Sequence, residues 1–157
     1  MKKPAIAFDF HVAIIGATDI WRRLRLGADR TLWDLHEAIY RAYDRVDDHM
    51  FCFYLTKPGS RGRSALRDAT EYAHPYTVEG TPEYMTPPLD ASVAKLGRIG
   101  LTPRQRFYYL WDFGDEWWHT VKVAQIFTTT PPGLDTIIQE KHGESPDEFK
   151  VWPPGRL

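Results

Sequence analysis

The sequence predicts an α+β fold, in which a mixed, mostly antiparallel sheet carries one main helix packed across it in a β-grasp-like arrangement. Two segments near the start of the chain and two near its end alternate apolar and polar residues, as strands with one buried face do. Between them lies a segment with the apolar spacing of a helix. The chain has 157 residues, 43% of them hydrophobic, which is typical of one globular domain, so we expect residues 1–157 to form a single domain.

The first strand is predicted over residues 6–14, where apolar and polar side chains alternate with period two. A turn at residues 16–19 and renewed alternation over residues 20–26 indicate an antiparallel hairpin. The second strand carries three arginines: Arg22, Arg23 and Arg25. We expect these side chains to be solvated charges at a sheet edge, with an anion site as the alternative.

The main helix is predicted to begin at Thr31, which fits a capping box with Asp34 three residues later. Apolar residues then recur at spacings of three and four as far as Val46, which indicates an amphipathic helix. The pair Asp47–Asp48 should end this helix. Residues 49–55 are rich in aromatic side chains and should form a third strand.

The periodic pattern stops over residues 57–88, where proline and glycine are frequent. We expect a long loop there, and a loop of this length in a compact domain is usually functional or mobile. Short strands near Tyr72 and over residues 76–78 are the alternative for part of it. Ser92 is expected to cap a short helix, and residues 128–157 should form a C-terminal strap that packs on the domain.

The last hairpin is predicted from residues 107–113 and 117–127, joined by a two-residue turn at Gly114–Asp115. That turn would place Trp111 opposite Trp118 and would sort the side chains onto two faces. One face, rich in aliphatic residues, should meet the helix. The other should be an exposed aromatic outer face that binds a partner, made of Tyr109, Trp111, Phe113 and Trp118.

The same register would make Asp112 and His119 neighbours on the inner face, near Trp117. A mutual hydrogen bond beside the indole is one interpretation, since buried polar groups need partners. The alternative is a divalent metal site, with candidate ligands His36, His49, Asp112 and His119. We expect no other cofactor, because the sequence contains no P-loop, no nucleophile elbow and no HExxH motif.

Composition narrows the classes of function. The chain has 20 Lys and Arg against 21 Asp and Glu, so its net charge of -1 lacks the basic excess on which non-specific nucleic-acid binders depend. Its one cysteine cannot form an internal disulfide. The sequence has no apolar run of about 18 residues that would span a membrane. These features predict a cytoplasmic protein without a membrane partner.

Several motifs together resemble the plasmid pRi open-reading-frame-three-like family. They are residues 20–23 (Ile-Trp-Arg-Arg), 34–36 (Asp-Leu-His), 47–49 (Asp-Asp-His) and the run from Tyr109 to His119 that contains Asp-Phe-Gly-Asp. The resemblance covers about residues 6–123 and implies a compact α+β domain. Some members are described as passenger proteins of insertion elements, which implies proximity to mobile DNA. The positions that the family pattern singles out are Trp21, Arg22, Asp34, His36, Asp48, His49, Asp112, Phe113, Gly114, Asp115, Trp117 and His119.

Three classes of function remain open at this point. The leading one is a non-catalytic binding module that captures an unidentified protein or small ligand on the aromatic outer face. The second is a metal-dependent hydrolase or nuclease built on His36, His49, Asp112, Asp115 and His119. The third is a nucleic-acid-associated accessory protein that uses basic side chains, namely Arg22, Arg23, Arg25, Arg61, Arg63 and Arg67.

Overall fold

The computed structural model describes residues 3–130, 133–135 and 137–157. Within these residues the strands are β1 (Ala5–Ile14), β2 (Ala17–Gly27), β3 (Phe51–Leu55), β4 (Thr70–Ala73), β5 (Leu89–Asp90), β6 (Arg106–Trp111), β7 (Trp117–Thr129) and β8 (Ile138–His142). The helices are α1 (Leu32–Ala42) and α2 (Pro75–Glu79), with short 3-10 turns at Arg63–Leu66 and Ala91–Val93.

All the strands of the described residues join one sheet, in the order β5-β4-β3-β6-β7-β1-β2-β8. Neighbouring strands are antiparallel except β4 and β5, which are parallel. The apolar side of α1 packs on one face of this sheet and buries Leu32, Leu35 and Ile39 in the main core. The prediction of an α+β fold with a mixed sheet and one main helix is therefore confirmed.

The main helix begins as predicted and ends early. The Thr31 hydroxyl accepts the Asp34 N–H at 3.2 Å, and the Asp34 carboxylate accepts the Thr31 N–H at 2.9 Å, which completes the capping box. The predicted end near residue 46 is wrong. Asp44 has a positive φ of 54°, which is incompatible with a right-handed α-helix, so the helix ends before it. Beyond it Val46 is 72% exposed, whereas Arg45 turns inward. Neither helix of the described residues has the length and apolar character needed to cross a bilayer.

The first hairpin is confirmed, but its second strand does not lie at a sheet edge. β1 and β2 pair as expected, with Phe8 opposite Leu26 and Val12 opposite Arg22. Residues of the predicted C-terminal strap form β8, which covers the other side of β2. The prediction of solvated edge charges is therefore wrong for β2. Three residues of that strap, Pro131, Pro132 and Thr136, lie outside the described residues.

The last hairpin has a longer loop than predicted, which shifts its register by one residue. Trp111 lies opposite Trp117, not opposite Trp118. Residues 112–116 form the connecting loop. The Glu116 N–H donates a hydrogen bond to the Asp112 carbonyl oxygen at 2.7 Å, which closes this loop. Both of these residues have positive φ, 65° and 63°. Aspartate tolerates the left-handed region better than most residues, and its side chain accepts the amides of residues 114 and 115 in this loop.

Residues 57–88 contain more regular structure than the predicted loop. A 3-10 turn, β4 and α2 all lie within this segment. Tyr72 lies in a strand, as the alternative prediction proposed, but residues 76–78 belong to α2. The Tyr76 N–H, in the first turn of α2, donates a hydrogen bond to the His74 Nδ1. The predicted helix at Ser92 is only a 3-10 turn, and the residue that caps it is Asp90.

Candidate functional site

The aromatic residues of the last hairpin lie inside the protein and do not form an exposed face. The observed register points Tyr109 and Trp111 toward α1, where they are 0% and 1% exposed. Trp118 points to the opposite face of the sheet and is 7% exposed. Only Phe113, in the connecting loop, is well exposed. The predicted aromatic outer face is therefore wrong, because the two-residue turn from which it was inferred does not form.

The face of the sheet opposite α1 carries a second, smaller core. Trp118 packs there with Tyr108 and Leu110. Leu66 from the 3-10 turn and Leu157 from the C-terminal segment pack against these three residues. This small core, to which the indole of Trp118 belongs, therefore holds two distant segments on the sheet, so Trp118 has a structural role.

A sealed cluster lies between the end of α1 and strands β6 and β7. We define it as Tyr43, Arg45, Tyr109, Trp111 and His119. The Arg45 guanidinium lies 4.2 Å from the Trp111 ring centroid and 5.1 Å from that of Tyr43. Its Nη2 donates to Nε2 of His119 at 2.6 Å, so the histidine carries its proton on Nδ1, 3.3 Å from the Tyr109 carbonyl oxygen. The predicted hydrogen bond between Asp112 and His119 is wrong, because this cluster occupies the imidazole.

Burial and charge keep the imidazole of the sealed cluster neutral. Desolvation lowers the pKa of His119 well below its ordinary value, and the positive charge of Arg45 lowers it further. Neutral imidazole is the form that accepts a hydrogen bond from a guanidinium. His119 is therefore a partner for the buried arginine and is poorly suited to act as a base at neutral pH.

Glu148 brings a carboxylate from the C-terminal segment toward the sealed cluster. Its Oε1 accepts the N–H groups of Val46 and Asp47 at 2.9 and 3.2 Å. Its negative charge raises the pKa of the Arg45 guanidinium, opposing the larger effect of burial. Glu148 thus fixes the turn after α1 and counters part of the buried charge.

Arg22, the arginine of the family motif, is buried and hydrogen-bonded within the protein, so it is not a solvated charge. It is 1% exposed. Its Nε donates to the Ala42 carbonyl oxygen at 2.8 Å, at the C-terminal end of α1 where helix carbonyls lack partners. Its Nη1 donates to the carbonyl oxygens of Trp21 and His142, each at 2.8 Å, and its Nη2 to the Ser145 hydroxyl at 3.0 Å. Arg22 therefore joins α1, β2 and the segment after β8.

The other two arginines of β2 are paired within the protein. Arg25 makes two hydrogen bonds to the Asp9 carboxylate, at 2.7 and 2.9 Å, and Arg23 makes one at 3.0 Å. Gln125 donates to the same carboxylate at 2.7 Å. Burial alone would raise the pKa of Asp9, but these hydrogen bonds outweigh it and lower the pKa. Six arginines were predicted to contact nucleic acid. Three of them hold the fold together, and the other three, Arg61, Arg63 and Arg67, are exposed.

The polar residues of the family motif form two separate groups. His49 Nε2 lies 3.4 Å from Asp47 and 3.5 Å from Asp112, near the surface, and its ring packs edge-on against Trp111. Asp115 belongs to the same loop, where its N–H donates to the Asp112 carboxylate. The second group is the pair His36 and His119, which both contact Tyr109.

The structure does not bring the predicted metal ligands to a common point. Within residues 3–130, 133–135 and 137–157, no three His, Cys, Asp or Glu side chains are arranged to hold a metal ion. Asp112 lies beside His49, whereas His119 is occupied by Arg45. Trp117, another motif residue, is 2% exposed and packs in the main core.

An open groove of about 520 Å³ lies where α1, the start of β3 and the start of α2 meet. Its wall is built mainly from rings: Trp33, His36, Tyr40, His49, His74 and Tyr76. Trp33, His36 and Tyr40 share one face of α1 because they are spaced by three and four residues. The ring centroids of Trp33 and His74 are 4.9 Å apart, and those of His74 and Tyr76 are 4.7 Å apart. A volume of this size suits a single small molecule.

His36 is the groove residue that is best defined chemically. Its ring stacks on Phe51 at 3.8 Å, and its Nδ1 lies 2.7 Å from the Tyr109 hydroxyl. Burial lowers the pKa of His36 to about 3, with smaller contributions from the positive charge of Arg45 and from His74. The imidazole is therefore neutral at physiological pH, and it lines the groove as a polar ring without charge.

Sequence reasoning found only two of the six groove rings, His36 and His49. The signal for Trp33 and Tyr40 was present, since both share with His36 the spacing of one helix face. His74 and Tyr76 lie in the segment that was predicted as a loop, and no local pattern connects them to α1. Arg45 was also missed, because the helix was expected to continue past it.

Comparison with known proteins agrees with this architecture. The family model described as plasmid pRiA4b ORF-3-like protein matches residues 7–149. A solved structure of a protein of unknown function from Methanosarcina mazei Go1 has a similar fold, with a TM-score of 0.70 at 22% sequence identity; the match covers 92% of this chain and 73% of that one. No curated protein matches the chain.

Proposed function

This chain belongs to the plasmid pRiA4b ORF-3-like family, and from that premise we propose that it is a binding module whose open groove holds a small organic ligand. The observation that carries the proposal is the convergence of six rings, from α1, from the loop before β3 and from the start of α2, on one groove of about 520 Å³. Ligand sites are typically concave and lined by aromatic side chains with a few polar groups. The sealed cluster differs, because its arginine already fills the space between the rings.

The chemistry of the buried groups favours binding over catalysis. Cys52 is 4% exposed, and burial raises the pKa of its thiol to about 12, so it is a poor nucleophile. His36 and His119 have lowered pKa values and are weak bases at neutral pH. A metal-dependent hydrolase would need His36, His49, Asp112 and His119 at one point; His119 is instead hydrogen-bonded to Arg45, which weighs against that alternative.

Ligand-observed NMR with a set of small aromatic and heteroaromatic fragments tests the proposal. We expect fragments to bind the parent protein and to lose most of this binding in Trp33→Leu and Tyr76→Ala. Tyr84→Ala is the matched control, because Tyr84 is 86% exposed and does not line the groove. The proposal is wrong if no fragment binds, or if fragments bind the two groove variants as tightly as they bind the parent protein.

A further inference from the structure

We infer that the groove binds a small organic cation that presents a planar amidinium or guanidinium group; this rests on the proposed function and names its ligand class. Three aromatic side chains line the site: Trp33, Tyr40 and Tyr76. The face of an aromatic ring carries negative electrostatic potential, which attracts ammonium and guanidinium groups within about 6 Å of the ring centroid. A flat cation also stacks on rings with little loss of solvent-exposed polar surface.

The fixed charges around the groove favour a positive ligand. Glu37 and Asp48 both line it, and the one arginine of its wall, Arg41, lies 3.6 Å from the Glu37 carboxylate. That pairing offsets the charge of Arg41 and leaves Asp48 as an exposed carboxylate at the groove. A cation that enters therefore meets negative charge without displacing an existing ion pair.

The charges that act on Tyr40 also favour a positively charged ligand. Burial contributes most to the raised pKa of this phenol, and the negative charges of Asp48, Glu148 and Asp47 raise it further. Arg45, behind the groove wall, acts in the opposite direction and has the smallest effect of the four charges. At Tyr40 the three carboxylates therefore outweigh the one buried guanidinium, whereas at His36, deeper in the wall, the positive charge of Arg45 acts.

His36, the most deeply buried imidazole of the groove wall, does not repel a cation. His36 is neutral at physiological pH and His74 uses its Nδ1 to accept the Tyr76 N–H, so that nitrogen carries no proton. An anionic ligand would need the reverse arrangement, with protonated imidazoles or free arginines directed into the groove. Arg41 is the arginine of the groove wall, and it is already paired.

The test compares three probes of nearly the same shape: benzamidine, which is cationic, benzamide, which is neutral, and benzoate, which is anionic. We expect benzamidine to bind the parent protein about tenfold more tightly than benzamide at low ionic strength, with benzoate the weakest. Raising the salt concentration should reduce benzamidine affinity and leave benzamide affinity unchanged. Isothermal titration and ligand-observed NMR measure these affinities.

Asp48→Asn gives a readout that depends on charge alone. We expect this variant to weaken benzamidine several-fold and to leave benzamide unchanged, whereas Asp68→Asn, an exposed aspartate outside the groove, should change neither. Equal affinity for benzamidine and benzamide would overturn the cation inference while leaving the groove as a ligand site. If none of the three probes and no fragment binds, both the inference and the proposed function fail.

Discussion

The sealed cluster and the open groove are built from the same kinds of residue, yet only one of them leaves space for a ligand. Both combine aromatic rings with a histidine whose pKa is lowered by burial. In the sealed cluster, Arg45 lies between the rings and donates to the imidazole of His119. In the groove, the corresponding space beside His36 is open to solvent. An aromatic–histidine motif in a sequence therefore identifies a site only when no side chain of the protein fills it.

The two regions share Tyr109, which connects them physically. Its hydroxyl lies 2.7 Å from His36 in the groove wall, and its ring centroid lies 5.1 Å from that of His119. Burial raises the pKa of this phenol, so its hydroxyl stays protonated and is available as a donor. Tyr109 therefore links the groove wall to the sealed cluster, and substitutions in either region test how far the two differ.

The largest expected effect comes from a matched pair of tryptophan variants. Trp111→Ala removes a ring that is 1% exposed and stacked on Arg45, so we expect a loss of about 3–5 kcal/mol in the free energy of unfolding. Trp33→Ala removes a partly exposed groove ring and should cost much less. Urea denaturation followed by circular dichroism measures both. Similar losses would mean that the two regions do not differ in kind.

Acid should destabilise the protein through its neutral histidines. The folded-state pKa values of His36 and His119 lie below 6.5, so below that pH the unfolded chain binds more protons and stability falls as pH decreases. At a pH between its folded-state and unfolded-state pKa values, each imidazole contributes a slope that approaches about 1.4 kcal/mol per pH unit. For His36 that interval extends from 6.5 down to about 3. Above pH 7.5 these two groups should contribute no slope.

Denaturant midpoints between pH 7.5 and 5 check this expectation. His36→Asn should reduce the slope without removing it, because His119 still contributes. If the free energy of unfolding does not change over this range, the pKa values of the two imidazoles are the same in the folded protein as in the unfolded chain.

Removing the charge of Glu148 should have a moderate effect. Glu148→Gln keeps an oxygen for the Val46 and Asp47 amides but no longer counters Arg45, so we expect a loss of about 1 kcal/mol. Asp147→Asn is the control, since Asp147 is exposed and is not among the groups that raise the pKa of Arg45. Thermal unfolding of both variants measures the loss. An equal loss of stability in the two variants would contradict a specific role for Glu148.

The smallest effect on stability is expected for Arg41→Gln. The ion pair with Glu37 is exposed, so its loss should change the free energy of unfolding by less than about 0.5 kcal/mol. Affinity for benzamidine should rise about twofold, because Glu37 is then free to attract the cation. Calorimetric titration measures this rise, and a fall in affinity would indicate that Arg41 contacts the ligand itself.

The fold was predictable where local patterns reflect burial directly. The first hairpin and the start of α1 follow from alternation and from the Thr31–Asp34 capping box, which are signals carried by a few neighbouring residues. The end of α1 was not predictable in this way. Val46 continues the apolar spacing, yet Asp44 leaves the helix, and tertiary contacts of Arg45 decide the path of the chain.

The site was predictable only in part, for a related reason. A one-residue difference in the loop at residues 112–116 moves Tyr109 and Trp111 from one face of the sheet to the other. The pattern of the hairpin fits either register, and the choice depends on Asp112 and Glu116 taking positive φ. The groove also needs His74 and Tyr76, which reach α1 only through the pairing of β4 with β3. Such long-range pairing leaves no signal in a single sequence.

The position of β1 in the sheet has a consequence for how the chain acquires its structure during synthesis. β1 lies between β2, its neighbour along the chain, and β7, whose residues come more than a hundred positions later. The first hairpin therefore leaves the ribosome with an unpaired strand edge that persists until most of the chain has been made. Unpaired edges of this kind promote intermolecular association. The slow, non-local closures of β1 on β7 and of β2 on β8 are thus the steps before which the nascent hairpin is exposed to aggregation.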